Sequence, residues 1–386
     1  MNLQLLVDGV RFWERLADDL AGARRQILVQ TLSFEGDSAG LGLARALQDS
    51  TAPDRRVVID DFSRHIVSDK LVYHPKHLFD GDLLRERRRT RRMVREMRGA
   101  GVGVRFSNPA GWFLRRMALR NHKKLVAIDG RVAYVGGINF SDHNFAWHDL
   151  MLRIEDPAVA GFLAEDFEWT WRGVDQTTAR RFEGLEVHVM GGRRNERQFG
   201  LVLDLLAGAR RRVFIESPYL MPPFSEAAQR ASRRGVDVAV VTPERNNWRL
   251  SRDHIHWKAA RSPMALHGYP ERMTHMKAML VDDRHLVLGS ANYDLWSYRF
   301  QQEFLILADD AGLVRQFREQ VEGPDLALSP RVEPDVSARR GRLADLRLAW
   351  LERFTLAVSG RSADATPSIP PWPVPGSPVL RGAPPA

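Results

Sequence analysis

The pattern H-x-K-x4-D occurs twice in this chain, with its flanks in matching register. His122, Lys124 and Asp129 are followed by Gly136, Gly137 and Asn139, and each recurs 153 residues later as His275, Lys277, Asp282, Gly289, Ser290 and Asn292. A second echo, Leu20-Ala21-Gly22-Ala23-Arg24-Arg25 against Leu206-Ala207-Gly208-Ala209-Arg210-Arg211, has an offset of 186. Two long offsets within 386 residues point to two copies of one unit, each large enough for its own core. The difference of 33 between the offsets puts surplus sequence in the first copy, expected at 62–116. We therefore expect a first half at 1–175 with that insert, a second half at 176–330, a closing helix within 331–360 and a Pro-rich tail over 361–386.

Each half reads as strand, helix, strand, helix, then a β-pair carrying the histidine motif. This alternation predicts an α/β fold with mixed sheets and helices on both faces. The spacing of Leu343, Leu346, Trp350 and Phe354 predicts a helix that closes the fold through that apolar face. Eight prolines in the 21 residues from Thr366 onward leave no packed element there.

The motif prescribes chemistry. Residues i and i+2 of an extended segment share a face, so the imidazole and ammonium of each copy project together. Gly136-Gly137 and Gly289-Ser290 are small enough to let backbone approach a phosphate, with Asn139 and Asn292 as amide donors. Asp129 and Asp282 follow a strand and are expected to fix a turn rather than transfer protons. If the copies face each other, two histidines, two lysines and two asparagines surround one pocket. That is equipment for displacement at phosphorus: one imidazole attacks while the other moves protons, and the cations stabilise the non-bridging oxygens. A nucleophilic imidazole needs its far nitrogen held by an acceptor. Asp149 lies 27 residues after His122 and Glu303 lies 28 after His275, so each half offers its own carboxylate in register.

Only six of the 57 basic residues are lysine (Lys70, Lys76, Lys123, Lys124, Lys258 and Lys277), so arginine is the generic surface cation of this chain. Lysine at both motif positions marks a requirement for a compact ammonium. The absence of cysteine removes disulfides, thiolate nucleophiles and cysteine-ligated metals. His143 and His148 have no recognised zinc spacing and read as pocket wall or surface; neither a metal nor a cofactor is called for. The net charge of +9 favours an anionic partner without choosing among lipid, nucleic acid and small phosphate esters. The run Arg85–Arg98 reads either as a binding patch for such a partner or as the solvated face of a helix with Leu83, Leu84, Met93, Val94 and Met97 inside. Trp112 and Phe113, beside Arg115-Arg116, read as an interfacial wedge at the lip of the pocket or as a packed loop. No basic n-region with an apolar segment opens the chain, and no apolar run reaches the roughly 18 residues of a membrane span. The expected location is the cytoplasm, at the inner face of the membrane.

The stretch from Arg120-Asn121-His122-Lys123-Lys124 through Asp129-Gly130-Arg131 to Val135-Gly136-Gly137-Ile138-Asn139 resembles the phospholipase D superfamily. Together with Trp147-His148-Asp149 and Glu216-Ser217-Pro218-Tyr219, it is similar to the bacterial cardiolipin synthase branch, and the likeness covers roughly residues 5 to 325. The resemblance implies phosphatidyl transfer through a covalent phosphohistidine. His122 would be the nucleophile, His275 the acid and base, and an alcohol or water the acceptor. It implies a phospholipid substrate at a membrane surface; the alternatives are a phosphodiesterase or nuclease of the same superfamily acting on nucleic acid, and a non-catalytic module that binds anionic lipid or nucleic acid. One chain supplies both half-sites, so a monomer suffices.

Overall fold

The computed structural model describes residues 1–77, 79–111 and 116–359. Trp112, Phe113 and the Pro-rich tail lie outside the described residues. The first half supplies, in chain order, β1 (Asn2–Val7), β2 (Gln26–Thr31), β3 (Asp54–Asp60), a hairpin of β4 (Ile66–Val67) and β5 (Lys70–Leu71), β6 (Gly103–Ser107), β7 (Leu125–Ile128), β8 (Val132–Gly136) and β9 (Leu150–Glu155). The second supplies β10 (Thr178–Phe182), β11 (Leu185–Gly191), β12 (Arg212–Glu216), β13 (Asp237–Pro243), β14 (Ala265–Tyr269), β15 (Ala278–Val281), β16 (His285–Gly289) and β17 (Gln302–Ala308).

The two large sheets share one plan. The first runs β1-β9-β8-β7-β2-β3-β6, and the second runs β10-β11-β17-β16-β15-β12-β13-β14. Three parallel strands (β2, β3, β6; β12, β13, β14) adjoin three antiparallel ones that begin with the strand following each histidine motif. The stretch 62–116, expected as surplus, contains elements with second-half counterparts. Its helix Gly81–Gly99 takes the place of Arg249–Ala259, and β6 takes that of β14. Within Gly81–Gly99, Leu83, Met93, Val94 and Met97 are buried, so the basic run is the outer side of a packed helix.

Each sheet has an outer core beneath its own helices. A third core lies between the sheets and joins Leu125, Val135 and Leu152 to Phe214, Leu288 and Ile306. The helices Pro157–Trp171 and Ala311–Phe317 add Phe162, Phe167, Leu313 and Phe317 to it. The halves are thus fused through a common apolar layer, the interaction that fixes their relative position.

The C-terminal helix Ala338–Ser359 forms as expected, but with the opposite face inward. Ala344, Leu348 and Thr355 are buried against the second half, while Leu343, Leu346, Trp350 and Phe354 are exposed.

Candidate active site

The histidine motifs do not lie in the sheet ladders, as their strand-like spacing suggests, but in extended segments just ahead of β7 and β15. Their backbones pair across the halves instead. The His122 N–H donates to Gln302 O and the Gln302 N–H to Arg120 O, both at 2.9 Å. In mirror fashion the His148 N–H donates to Met273 O at 2.8 Å and the His275 N–H to His148 O at 2.7 Å. Each motif therefore runs beside the residue that precedes the other half's carboxylate.

The consequence is an exchange of partners. His122 Nδ1 lies 2.9 Å from Glu303 Oε1, and His275 Nδ1 lies 2.7 Å from Asp149 Oδ2. The expected pairing within each half is corrected: the carboxylate that orients each imidazole comes from the other half. All four groups are buried, with no more than 6% of either histidine exposed. A carboxylate on Nδ1 fixes the ring plane and turns Nε2 the other way.

The two imidazoles are not held alike. His122 Nδ1 faces only acceptors, Glu303 and the Ser290 carbonyl at 3.1 Å. It must therefore carry a proton, which leaves Nε2 with a free lone pair. His275 Nδ1 lies between the Asp149 carboxylate and the Lys277 Nζ, the latter also at 2.7 Å. Lys277 Nζ is 3.6 Å from Asp149 Oδ2 and donates to the His275 carbonyl. Lys124 Nζ likewise donates to its own motif's carbonyl, His122 O, at 2.7 Å. Lys123, on the alternate side of the segment, points into the shared core and meets Asp166 at 2.7 Å.

Burial sets the electrostatics. Desolvation pushes His275 down to about 4, reinforced by the Lys277 charge and opposed by Asp149. It pushes His122 down as well, against the pull of Glu303. Desolvation brings Lys124 down to about 7, with Glu303 opposing, and Lys277 down to about 8, with Asp149 opposing. Burial would raise the Asp149 carboxyl, but Lys277 and His275 hold it below its ordinary value. Two ammonium groups poised near neutrality in a dry site recover their charge when an anion arrives, and there they act with little screening.

The small residues at the ends of β8 and β16 make room for protein groups, the Asp149 carboxylate and the backbone carbonyls of the neighbouring strands. A Cβ on Gly137 would fall 2.3 Å from Asp149 Oδ1, and one on Gly136 would fall 2.2 Å from Leu150 O. Gly289 has φ of 152°, and a Cβ there would meet Phe304 O at 2.3 Å. Ser290, the counterpart of Gly137, donates its hydroxyl to Glu303, which also accepts from Ser297 Oγ at 2.6 Å. The asparagines differ too. Asn139 donates to Asn144 Oδ1 at 2.7 Å and accepts from Thr31 Oγ1 at 3.2 Å, whereas the buried Asn292 Oδ1 has no partner among the described residues.

Asp129 and Asp282 stand in the hairpin turns after β7 and β15 with positive φ, as do the following Gly130 and Asp283, a two-residue primed turn. Asp129 accepts from the backbone N–H groups of Arg24, Arg25 and Gln26, and Asp282 from those of Arg210, Arg211 and Arg212. The two sequence echoes are therefore one contact: the motif aspartate clasps the chain where the other repeated segment enters its strand.

Some residues near the histidines were given no role at the site from sequence. The Trp147 ring centroid is 4.7 Å from that of His275. Asp60 meets Arg120 at 2.8 Å and accepts from the Asn121 N–H at 2.6 Å, bracing the first motif from below. At the rim, Asp69 of the β4–β5 turn lies 3.8 Å from His143 and 3.5 Å from Asn247 of the second half. Asp60 and Asp69 carry no repeat signal, because the elements bearing them have diverged between the halves. His148 is a buried link in place of pocket wall: its ring nitrogens meet Asp8 at 2.8 Å and Asp325 at 2.9 Å, and it stacks on Tyr269. Glu216 lies close to His148 and Asp325, but both imidazole nitrogens are already engaged by carboxylates.

No helix among the described residues is long and apolar enough to cross a membrane. The family model described as "Cardiolipin synthase, PLD-like domain" matches residues 16–171 and 202–323, one segment in each half. Cardiolipin synthase A of Pseudomonas putida (strain W619) is 27% identical over 371 residues, covering 89% of this chain and 72% of that protein. Cardiolipin synthase A of Pseudomonas entomophila (strain L48) is 28% identical over 344 residues, covering 83% and 67%. Among solved structures, phosphatidylserine synthase from Haemophilus influenzae Rd KW20 superposes with a TM-score of 0.65 at 13% identity, over 92% of this chain and 95% of that one. Polyphosphate kinase from Porphyromonas gingivalis gives 0.57 at 14% identity, over 92% and 53%; both likenesses are of fold. With both histidine motifs inside the matched segments, the chain belongs to the phospholipase D-like cardiolipin synthase family and is a phosphatidyltransferase-type enzyme of the phospholipase D superfamily.

Proposed function

We propose that the protein transfers phosphatidyl groups between alcohols through a phosphohistidine on His122. The observation that carries this reading is the unequal environment of the two Nδ1 atoms. Facing acceptors alone, His122 Nδ1 keeps its proton and presents an Nε2 lone pair to phosphorus. His275 Nδ1 lies beside the Lys277 ammonium as well as Asp149, and as the imidazolium formed once substrate is bound the ring donates its Nε2 proton and returns to neutral imidazole.

In the first step His122 Nε2 bonds to phosphorus, the bond from phosphorus to the leaving alcohol oxygen breaks, and that oxygen takes the His275 proton. In the second, His275 accepts the proton of the incoming hydroxyl, whose oxygen displaces His122. Lys124 and Lys277 stabilise the charge that grows on the non-bridging oxygens, worth on the order of 3–4 kcal/mol for a single well-placed donor. The phosphodiester anion also opposes the depression of the His275 pKa, restoring its capacity as an acid once substrate is bound. Asp149, Glu303, Ser290 and Gly137 position the imidazoles, while Asp129 and Asp282 hold the hairpins.

The relatives' names give cardiolipin as their product, and phosphatidylglycerol is the donor and acceptor we propose for making it here. The test is incubation of purified protein with phosphatidylglycerol vesicles, and separately with single-stranded DNA, followed by mass spectrometry of the products. Cardiolipin and glycerol are expected, both absent with His122→Ala, a change expected to cost at least about 10³-fold. Cleavage of DNA with untouched lipid would overturn the lipid assignment; lipid turnover that survives His122→Ala would overturn the mechanism.

A further inference from the structure

The helix Ala338–Ser359 presents to solvent the apolar stripe that its periodicity predicts to face inward. Leu343 is 41% exposed, Leu346 67%, Trp350 62% and Phe354 50%. Of the ten exposed large apolar side chains among the described residues, these four share one helix face, while the other six are scattered over the chain. Scattered exposed apolar residues are ordinary; a continuous stripe marks a surface that something covers. Trp350 and Phe354 stack with centroids 5.0 Å apart, forming the broad end of the stripe.

The charges around the stripe are sorted by sign. Both acidic residues of the helix turn toward the protein: Asp345 meets His254 at 2.7 Å and Lys258 at 3.3 Å, and Glu352 meets Arg299 at 2.9 Å. The outward residues Arg339, Arg342, Arg347 and Arg353 are exposed and cationic. At about 100° per residue, Arg347 flanks one edge of the stripe, and Arg342 and Arg353 flank the other. Opposite the stripe the helix is anchored on the second half. Gly341 approaches so closely that a Cβ would sit 2.3 Å from the Trp257 ring, and Ala344 and Leu348 are buried. The residues that receive it, Asp253 and His254 on one side and Arg299 on the other, lie close in sequence to Asn247 at the site rim and to Asn292.

An apolar ridge with aromatic width, flanking arginines and a rigid mounting fits an anionic bilayer surface, where rings enter the headgroup region and arginines reach lipid phosphates. We propose that this helix face is the surface by which the protein docks on anionic membranes. The docking requires none of the chemistry proposed above, so it can fail or hold independently of it.

The test is co-sedimentation of the full chain with vesicles of phosphatidylglycerol and phosphatidylcholine, against phosphatidylcholine alone, for the wild-type sequence and for Trp350→Ser/Phe354→Ser. The same measurement on His122→Ala separates docking from turnover. Binding should require phosphatidylglycerol, weaken with salt, fall at least tenfold in the double variant and persist in His122→Ala. Turnover of a short-chain, monomeric phosphatidylglycerol should be unchanged in the double variant, which also reports an intact fold. Equal binding by the double variant would overturn the proposal. So would absence of binding, self-association lost in the double variant on light scattering, or vesicle binding that appears only after removal of residues 360–386.

Discussion

At the scale of single residues, the two carboxylates that hold the imidazoles should not be interchangeable. Glu303 orients the proposed nucleophile and Asp149 the proton carrier, each from the opposite half. Glu303→Gln should therefore slow attack on phosphorus, and Asp149→Asn both proton transfers, to the leaving oxygen and from the incoming one, each by about 10²–10⁴-fold. With phosphatidyl-p-nitrophenol, whose leaving group needs no proton, rapid-quench kinetics should show a diminished burst in Glu303→Gln and a preserved burst with slow steady state in Asp149→Asn; identical profiles would contradict the division of labour. Gly137→Ala is a further probe of the same contact. Its methyl group would displace the Asp149 carboxylate, so kcat should drop about 10-fold or more with little change in KM. A KM effect alone would mean that Gly137 meets substrate, as its motif suggested. That exchange of carboxylates was not legible from spacing. A carboxylate 27 or 28 residues downstream is equally consistent with pairing inside a half or across a pseudo-two-fold, and only the backbone bridges at Gln302 and His148 decide it.

At the scale of elements, the aspartate of each motif belongs to a β-hairpin and not to the reacting groups. Asp129 and Asp282 each bind three backbone N–H groups at the entry of β2 or β12, satisfying donors that the sheet leaves open. Asp129→Asn should lower stability by about 1–2 kcal/mol, read from urea unfolding, while folded enzyme keeps kcat within about threefold of wild type. A thousandfold loss of kcat in folded protein would place this residue in the chemistry instead. Repeated strand and helix patterns made most of these elements readable, along with the turn role of both aspartates. The orientation of the C-terminal helix was not readable, because periodicity identifies an apolar face without saying what it meets. Small residues, Gly341 and Ala344, form much of the inward face, and at Gly341 the Trp257 ring leaves no space for a Cβ.

For the whole molecule, the fold is two sheets fused through one apolar layer and laced by polar links across the seam. The His148 cluster is one of these. Burial alone would depress the pKa of its imidazole, but hydrogen bonds to Asp325 and Asp8, with Glu216 nearby, raise it to about 10. A group whose folded pKa is raised stabilises the fold fully below its unfolded value near 6.5, and that contribution fades as the pH climbs through about 10. His148→Gln should therefore destabilise by about 3–5 kcal/mol at pH 6, with a gap to wild type that narrows by pH 10.5 in parallel denaturant titrations. A gap independent of pH would mean that the lost contribution is stacking on Tyr269 and not charge. Such links escaped sequence reading because Asp8, His148, Glu216 and Asp325 have no shared pattern and meet only once the halves close. The duplicated motif did announce that the halves would close on one another, since neither copy alone holds two imidazoles.

That closure, with one imidazole bonding to phosphorus while the other shuttles protons, is tested most directly by trapping the intermediate. His275→Ala and Asp149→Asn enzymes, mixed with phosphatidyl-p-nitrophenol, whose leaving group departs without a proton, quenched in mild alkali and digested, should carry a phosphatidyl adduct on the peptide containing His122 and none on that containing His275. An adduct on His275 in the Asp149→Asn enzyme, or wild-type turnover with no adduct on either peptide under any quench, would contradict it.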